Sequence, residues 1–71
     1  MDSEQIRIEL FKKRKQVNMA KIAREVGVSR QAVTAVINRK LNSKRIMLAV
    51  SAAIGRDPKY VFPERFLKKA D

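Results

Sequence analysis

The chain has 71 residues, with 17 Lys plus Arg against 7 Asp plus Glu, a formal charge of +10, and no Cys, His or Trp. A chain this short is at most one domain and buries only about 60% of its unfolded surface, so its fold must be economical. Without Cys or His the usual zinc, haem and thiol chemistries and any disulfide are excluded, and no metal, cofactor or enzymatic activity is expected.

The first helix is expected over residues 4–15, opened at Ser3 by Glu4 and Gln5, with Ile6, Leu10 and Val17 on one apolar face. Phe11 borders that face and reads as core. Asn18 is a favourable N-cap, and Val17 before it can staple onto Ile22 four positions into the second helix, Met19–Val26. Gly27 follows, where a left-handed backbone closes a helix and glycine adopts it without steric cost. The same device recurs at once, with Val28, Ser29 and Val33 forming a second staple around a second cap, so a third helix is expected over 30–38. Ile22, Ala23 and Val26 would then meet Val33, Val36 and Ile37 across a short turn.

Residues 39–42 read as a polar loop anchored by Leu41, and Ser43 caps a fourth helix that Gly55 ends. Asp57 and Pro58 suit an N-cap and a first helical position, which starts a short fifth helix over 58–62. Pro63 interrupts it. The expectation is an all-α, compact bundle of four to five short helices over 1–63, with 64–71 a C-terminal tail in contact with a second copy.

The charge is unevenly placed. Residues 12–45 hold eleven bases and one acid, Glu25, and the rest of the chain is neutral, so the excess lies in the middle of the chain where a contiguous surface would attract a polyanion. Neutralising phosphates releases counterions, which makes nucleic acid the default partner. The densest run, residues 12–15, is equally compatible with a solvated face. Apolar runs such as 47–50 and 52–54 fall far below the roughly 20 residues of a membrane span. The acidic start Met1, Asp2, Ser3, Glu4 carries no signal-peptide pattern, and a cytoplasmic location is expected.

Counting Met19 as the first position of a helix-turn-helix unit, the small residue at position 5 is Ala23, the turn glycine at 9 is Gly27, and apolar positions 4, 8, 10, 15 and 18 are Ile22, Val26, Val28, Val33 and Val36. A larger side chain at Ala23 would wedge the helices apart, and a charge at Val33 or Val36 would be buried without a partner.

With a Ser-capped apolar helix ending in IG and then DPKYVFPE, the stretch AKIAREVGVSRQAVTAVINRK resembles the lambda repressor-like family of Cro/CI-type DNA-binding domains over residues 6–62. Its ending is similar to small phage regulators of the Ner type. The resemblance implies a cytoplasmic, repressor-like transcriptional regulator that binds double-stranded operator DNA, with helix 3 in the major groove. Base edges would be read by Ser29, Arg30, Gln31, Thr34 and Ala35: Arg30 suits guanine, Gln31 adenine, and Thr34 or Ala35 the thymine methyl. Phosphates would be met by Asn18, Lys21, Asn38, Arg39, Lys40, Lys44 and Arg45. The sequence departs from the family at Met19, where many members carry a glutamine that braces helix 3 and touches phosphate.

Helix 4 is apolar nearly all round. Met47, Val50 and Ile54 suffice for the core, so Ile46, Ala49 and Ala53 need cover from Phe66 and Leu67 or from another subunit. A homodimer on a pseudo-palindromic operator is expected, with half-sites about 34 Å apart. Two other readings share the sequence evidence: an accessory protein for recombination or DNA bending, and an antitoxin-type module that masks a partner protein.

Overall fold

A computed structural model describes residues 1–66. Among them the chain forms helices and turns and no strand: α1 (Ser3–Lys12), α2 (Met19–Val26), α3 (Arg30–Ile37), α4 (Lys44–Ile54), α5 (Pro58–Val61) and α6 (Pro63–Phe66).

α1 starts from Asp2, not from Ser3. The Asp2 carboxylate accepts the Gln5 N–H at 2.8 Å while the Gln5 side chain accepts the Asp2 N–H at 3.2 Å, a reciprocal capping box. Ser3 is thereby freed for a longer-range contact. Its hydroxyl donates to the Ile37 carbonyl at 2.6 Å, tying the start of α1 to the end of α3. The helix also ends earlier than expected, and residues 13–16 form a turn. Ile6 and Leu10, four apart, are its buried stripe. Phe11, one position on, rotates out of that stripe and is 64% exposed, so it is not a core residue.

The three central helices end alike. The N–H of Val28 reaches the Ala23 carbonyl at 2.9 Å, that of Lys40 reaches Ala35 at 2.8 Å, and that of Arg56 reaches Ser51 at 3.0 Å. This six-to-one bond requires a left-handed residue just before the donor. Gly27 (φ 86) and Gly55 (φ 72) meet that need in α2 and α4; in α3 it is met by Arg39 (φ 61).

α2, α3 and α4 enclose a core of Ile22, Ala23, Val33, Val36, Ile37, Met47, Val50 and Ile54, with Ile6 and Leu10 laid over it from α1. Val61 and Phe62 close it from the C-terminal side, and burial of Phe62 alone contributes about 1.5–3 kcal/mol. The one buried polar side chain among the described residues, Ser51, donates to the Met47 carbonyl at 2.8 Å.

Three further expectations are corrected here. Ile46 is 2% exposed within the single chain, so it belongs to the core and needs no outside cover. Leu41 is exposed and anchors nothing. Pro63 does not release a tail: it begins α6, whose Phe66 packs half-buried against the core. Proline is favoured at a first helical position because its missing N–H has no partner there anyway. Leu67, the other proposed cover for α4, lies outside the described residues.

Candidate nucleic-acid interface

The helix-turn-helix is built from two short helices whose starts are capped by side chains. Asn18 accepts the Lys21 N–H at 2.8 Å, and Ser29 accepts the Ala32 N–H at 3.1 Å. Because Val33, Val36 and Ile37 turn inward, the opposite edge of α3 faces solvent. Ser29, Arg30 and Gln31 are exposed there, with Thr34 and Ala35 half-buried beside them, so the five expected base-reading residues share one edge.

Thr34 is more constrained than its neighbours. Its hydroxyl lies 3.2 Å from the Arg30 carbonyl and 3.3 Å from Met19 Sδ. Met19 thus takes the bracing place between α2 and α3 through its sulfur and offers no hydrogen-bond donor. What Thr34 presents outward is then chiefly its methyl group.

The flanking cations separate into two kinds. Lys40 and Lys44 are exposed, and their ammonium groups have no hydrogen-bonded partner among the described residues. Lys21 Nζ donates to the Gln16 carbonyl at 3.2 Å and keeps two N–H groups. Arg45 donates to the Val26 carbonyl at 2.9 Å, which satisfies an end carbonyl of α2 from the start of α4. Asn38 accepts from Arg7 Nη1 at 2.9 Å.

Arg39 differs from the rest, because its guanidinium already has partners within the fold. Its Nε pairs with Glu64 at 3.1 Å, Nη1 reaches Ser3 Oγ at 3.4 Å, and Nη2 donates to the Met1 and Val61 carbonyls at 2.5 and 3.3 Å. The guanidinium also lies 5.5 Å from the Phe62 ring centroid. All three nitrogens are spent on joining the N-terminus, α5 and α6, and the charge is answered by Glu64. That is the one ion pair among the described residues.

Between α1 and the starts of α2 and α3 lies a groove of about 460 Å³. Leu10 and Phe11 of α1, with Met19 and Ala20 of α2, supply its apolar lining. Arg7, Arg14 and Arg30 supply three guanidinium groups, and among the described residues no carboxylate lines it. Arg14 is held in place: its guanidinium lies 4.2 Å from the Phe11 ring centroid, and Nη1 donates to the Phe11 carbonyl at 3.0 Å. In the sequence Arg7 carries no signal of its own, Phe11 reads as core and Arg14 sits inside a charge run. The usable signal was the spacing of three between an aromatic residue and an arginine where the first helix gives way to a turn.

Among the described residues no group of three or more Asp or Glu side chains could hold a metal ion, and no helix is long and apolar enough to cross a membrane. Compared with known families, the chain matches over residues 1–71 the model described as winged helix-turn-helix DNA-binding. The wing of that description has no counterpart in residues 1–66, where no strand occurs. No curated protein and no solved structure matches the chain.

Proposed function

Since the chain belongs to the winged helix-turn-helix DNA-binding family, we propose that it is a sequence-specific transcriptional regulator of repressor-like kind that reads operator DNA in the major groove with α3. The observation that carries this reading is the solvent-facing edge of α3. Arg30 and Gln31 are exposed on a helix whose other side is locked into the core, and among the described residues no acidic side chain pairs with them. A fixed helix is what major-groove readout needs, because a bidentate contact discriminates only when its donor is held in register. Lys40 and Lys44 are available to phosphates beyond the end of α3, and at the start of α2 Lys21 keeps two N–H groups and Asn18 its amide N–H groups for the same use.

The all-helical arrangement supports a Cro/CI-like docking in which α2 crosses the backbone above α3. Specificity from so small a domain is best reached by pairing two copies on a pseudo-palindromic site. With Ile46 inside the core, the outward face of α4 is Leu48 and Ala52, four residues apart, with half-buried Ala49 and Ala53 at its borders. We assign the homodimer contact to that face.

Binding of duplex DNA across a salt series tests the reading. The logarithm of affinity should fall linearly with the logarithm of salt, by about 0.9 per phosphate neutralised; a flat dependence overturns it. Footprinting across the gene's own neighbourhood then separates a promoter-bound phage-type repressor from a recombination accessory protein.

A further inference from the structure

Four of the arginines are fixed by the fold, and the way each is fixed differs. Arg39 is held by a carboxylate, which cancels its charge. Arg45 is bound to the end carbonyl of α2, where the helix dipole partly answers it. Arg14 is held by an aromatic face and one neutral carbonyl, and Arg7 by the neutral amide oxygen of Asn38. Both line one groove, together with the exposed Arg30, and among the described residues no acid lines it with them.

Holding a guanidinium with neutral partners restricts its motion and leaves its full charge and most of its donors available, which is the requirement for binding an anion. The groove also adjoins the base-reading edge of α3, since Arg30 belongs to both. Its mixed lining suits a ligand with anionic and apolar parts in alternation, as phosphate and deoxyribose alternate along a DNA strand. We propose, resting on the DNA-binding reading above, that this groove between α1 and the starts of α2 and α3 seats the sugar-phosphate backbone of the bound duplex. Arg14 contacts a phosphate from its platform on Phe11. The first helix is then part of the interface, and Phe11 is exposed because it positions Arg14 and faces the sugar.

The test compares intact protein with Arg14→Ala and Arg14→Lys on one duplex that contains the binding site and one random duplex, between 50 and 200 mM salt, with phosphate ethylation interference on the first. Circular dichroism checks that each variant is folded. Arg14→Ala should flatten the salt slope by about 0.9 on both duplexes, so the gap to the intact protein closes about 3.5-fold across that range. It should also lose one interfering phosphate. Arg14→Lys should keep both the slope and that phosphate. An Arg14→Ala variant with the intact protein's slope and ethylation pattern overturns the groove's role while leaving α3 as the reader. A change in sedimenting mass with an unchanged slope assigns the groove to a second copy and overturns it too. Failure of the intact protein to bind any duplex removes the DNA-binding reading itself.

Discussion

Arg39 Nε and Glu64 Oε2 meet at 3.1 Å across 25 residues of sequence, and the residue that makes this contact stands in the left-handed conformation that α2 and α4 give to glycine. A left-handed backbone costs a non-glycine residue roughly 1–2 kcal/mol. Here the side chain offsets that cost by binding Glu64 and the carbonyls of Met1 and Val61. The end of α3 is therefore closed by a residue chosen for its guanidinium, against its backbone preference.

Removing that side chain should separate the two effects. Arg39→Ala loses the network and keeps the strain, so it should destabilise the fold by about 1–3 kcal/mol, the usual range for losing hydrogen bonds to a charged group. Arg39→Gly loses the network and relieves the strain, and should be about 1 kcal/mol more stable than Arg39→Ala. Urea unfolding of the three proteins measures both differences. A glycine variant no better than the alanine variant contradicts the assignment of strain.

Gly27→Ala and Gly55→Ala should each lower stability by roughly 1–2 kcal/mol through the backbone alone. A β-carbon at Gly27 meets nothing within 4 Å, and one at Gly55 meets only Lys13 Nζ at 3.5 Å, so neither suffers a clash. The two losses should be equal within error and additive in the double variant, as expected for sites without shared partners. Thermal unfolding of the single and double variants checks this.

On the binding side, Arg30→Ala and Gln31→Ala should cost about 1–3 kcal/mol on the preferred DNA sequence and little on random duplex, relaxing the preference at one position each. Lys40→Ala and Lys44→Ala should weaken both duplexes alike and reduce the salt slope by about one each. Arg39→Ala, once measured under conditions where it stays folded, should leave the slope unchanged. Equal losses on both duplexes from all five variants would remove the assignment of base-reading residues.

The oligomeric prediction turns on two neighbours on α4. Ile46→Ala should cost about 2–5 kcal/mol of stability at any protein concentration, because it opens a cavity inside one chain. Leu48→Glu should leave the isolated chain's stability within about 0.5 kcal/mol, as surface changes do, and abolish the dimer. Sedimentation equilibrium and unfolding at two protein concentrations distinguish them. A dimer that survives Leu48→Glu places the contact on another face.

Most of what is settled within one helical turn was legible in the chain, the Asp2 cap of α1 and that helix's early end excepted. Asn18, Ser29, Ser43 and Asp57 each accept a backbone N–H two or three residues ahead, Gly27 and Gly55 take positive φ, and the apolar spacing from Ile22 to Val36 lines one core. Such features are legible because a cap, a staple or a left-handed stop depends on neighbours that are always present. The tertiary structure alone decided the fates of Arg39, Ile46, Phe11 and Arg7. Whether a cation is spent or free, or an apolar side chain covered or bare, depends on which distant segment arrives beside it. Here Glu64, Val61 and Met1 come to Arg39, and Asn38 comes to Arg7, from 22 to 38 residues away. Helical periodicity places a side chain on a face; only the packing of α1, α5 and α6 against the central helices says what that face meets.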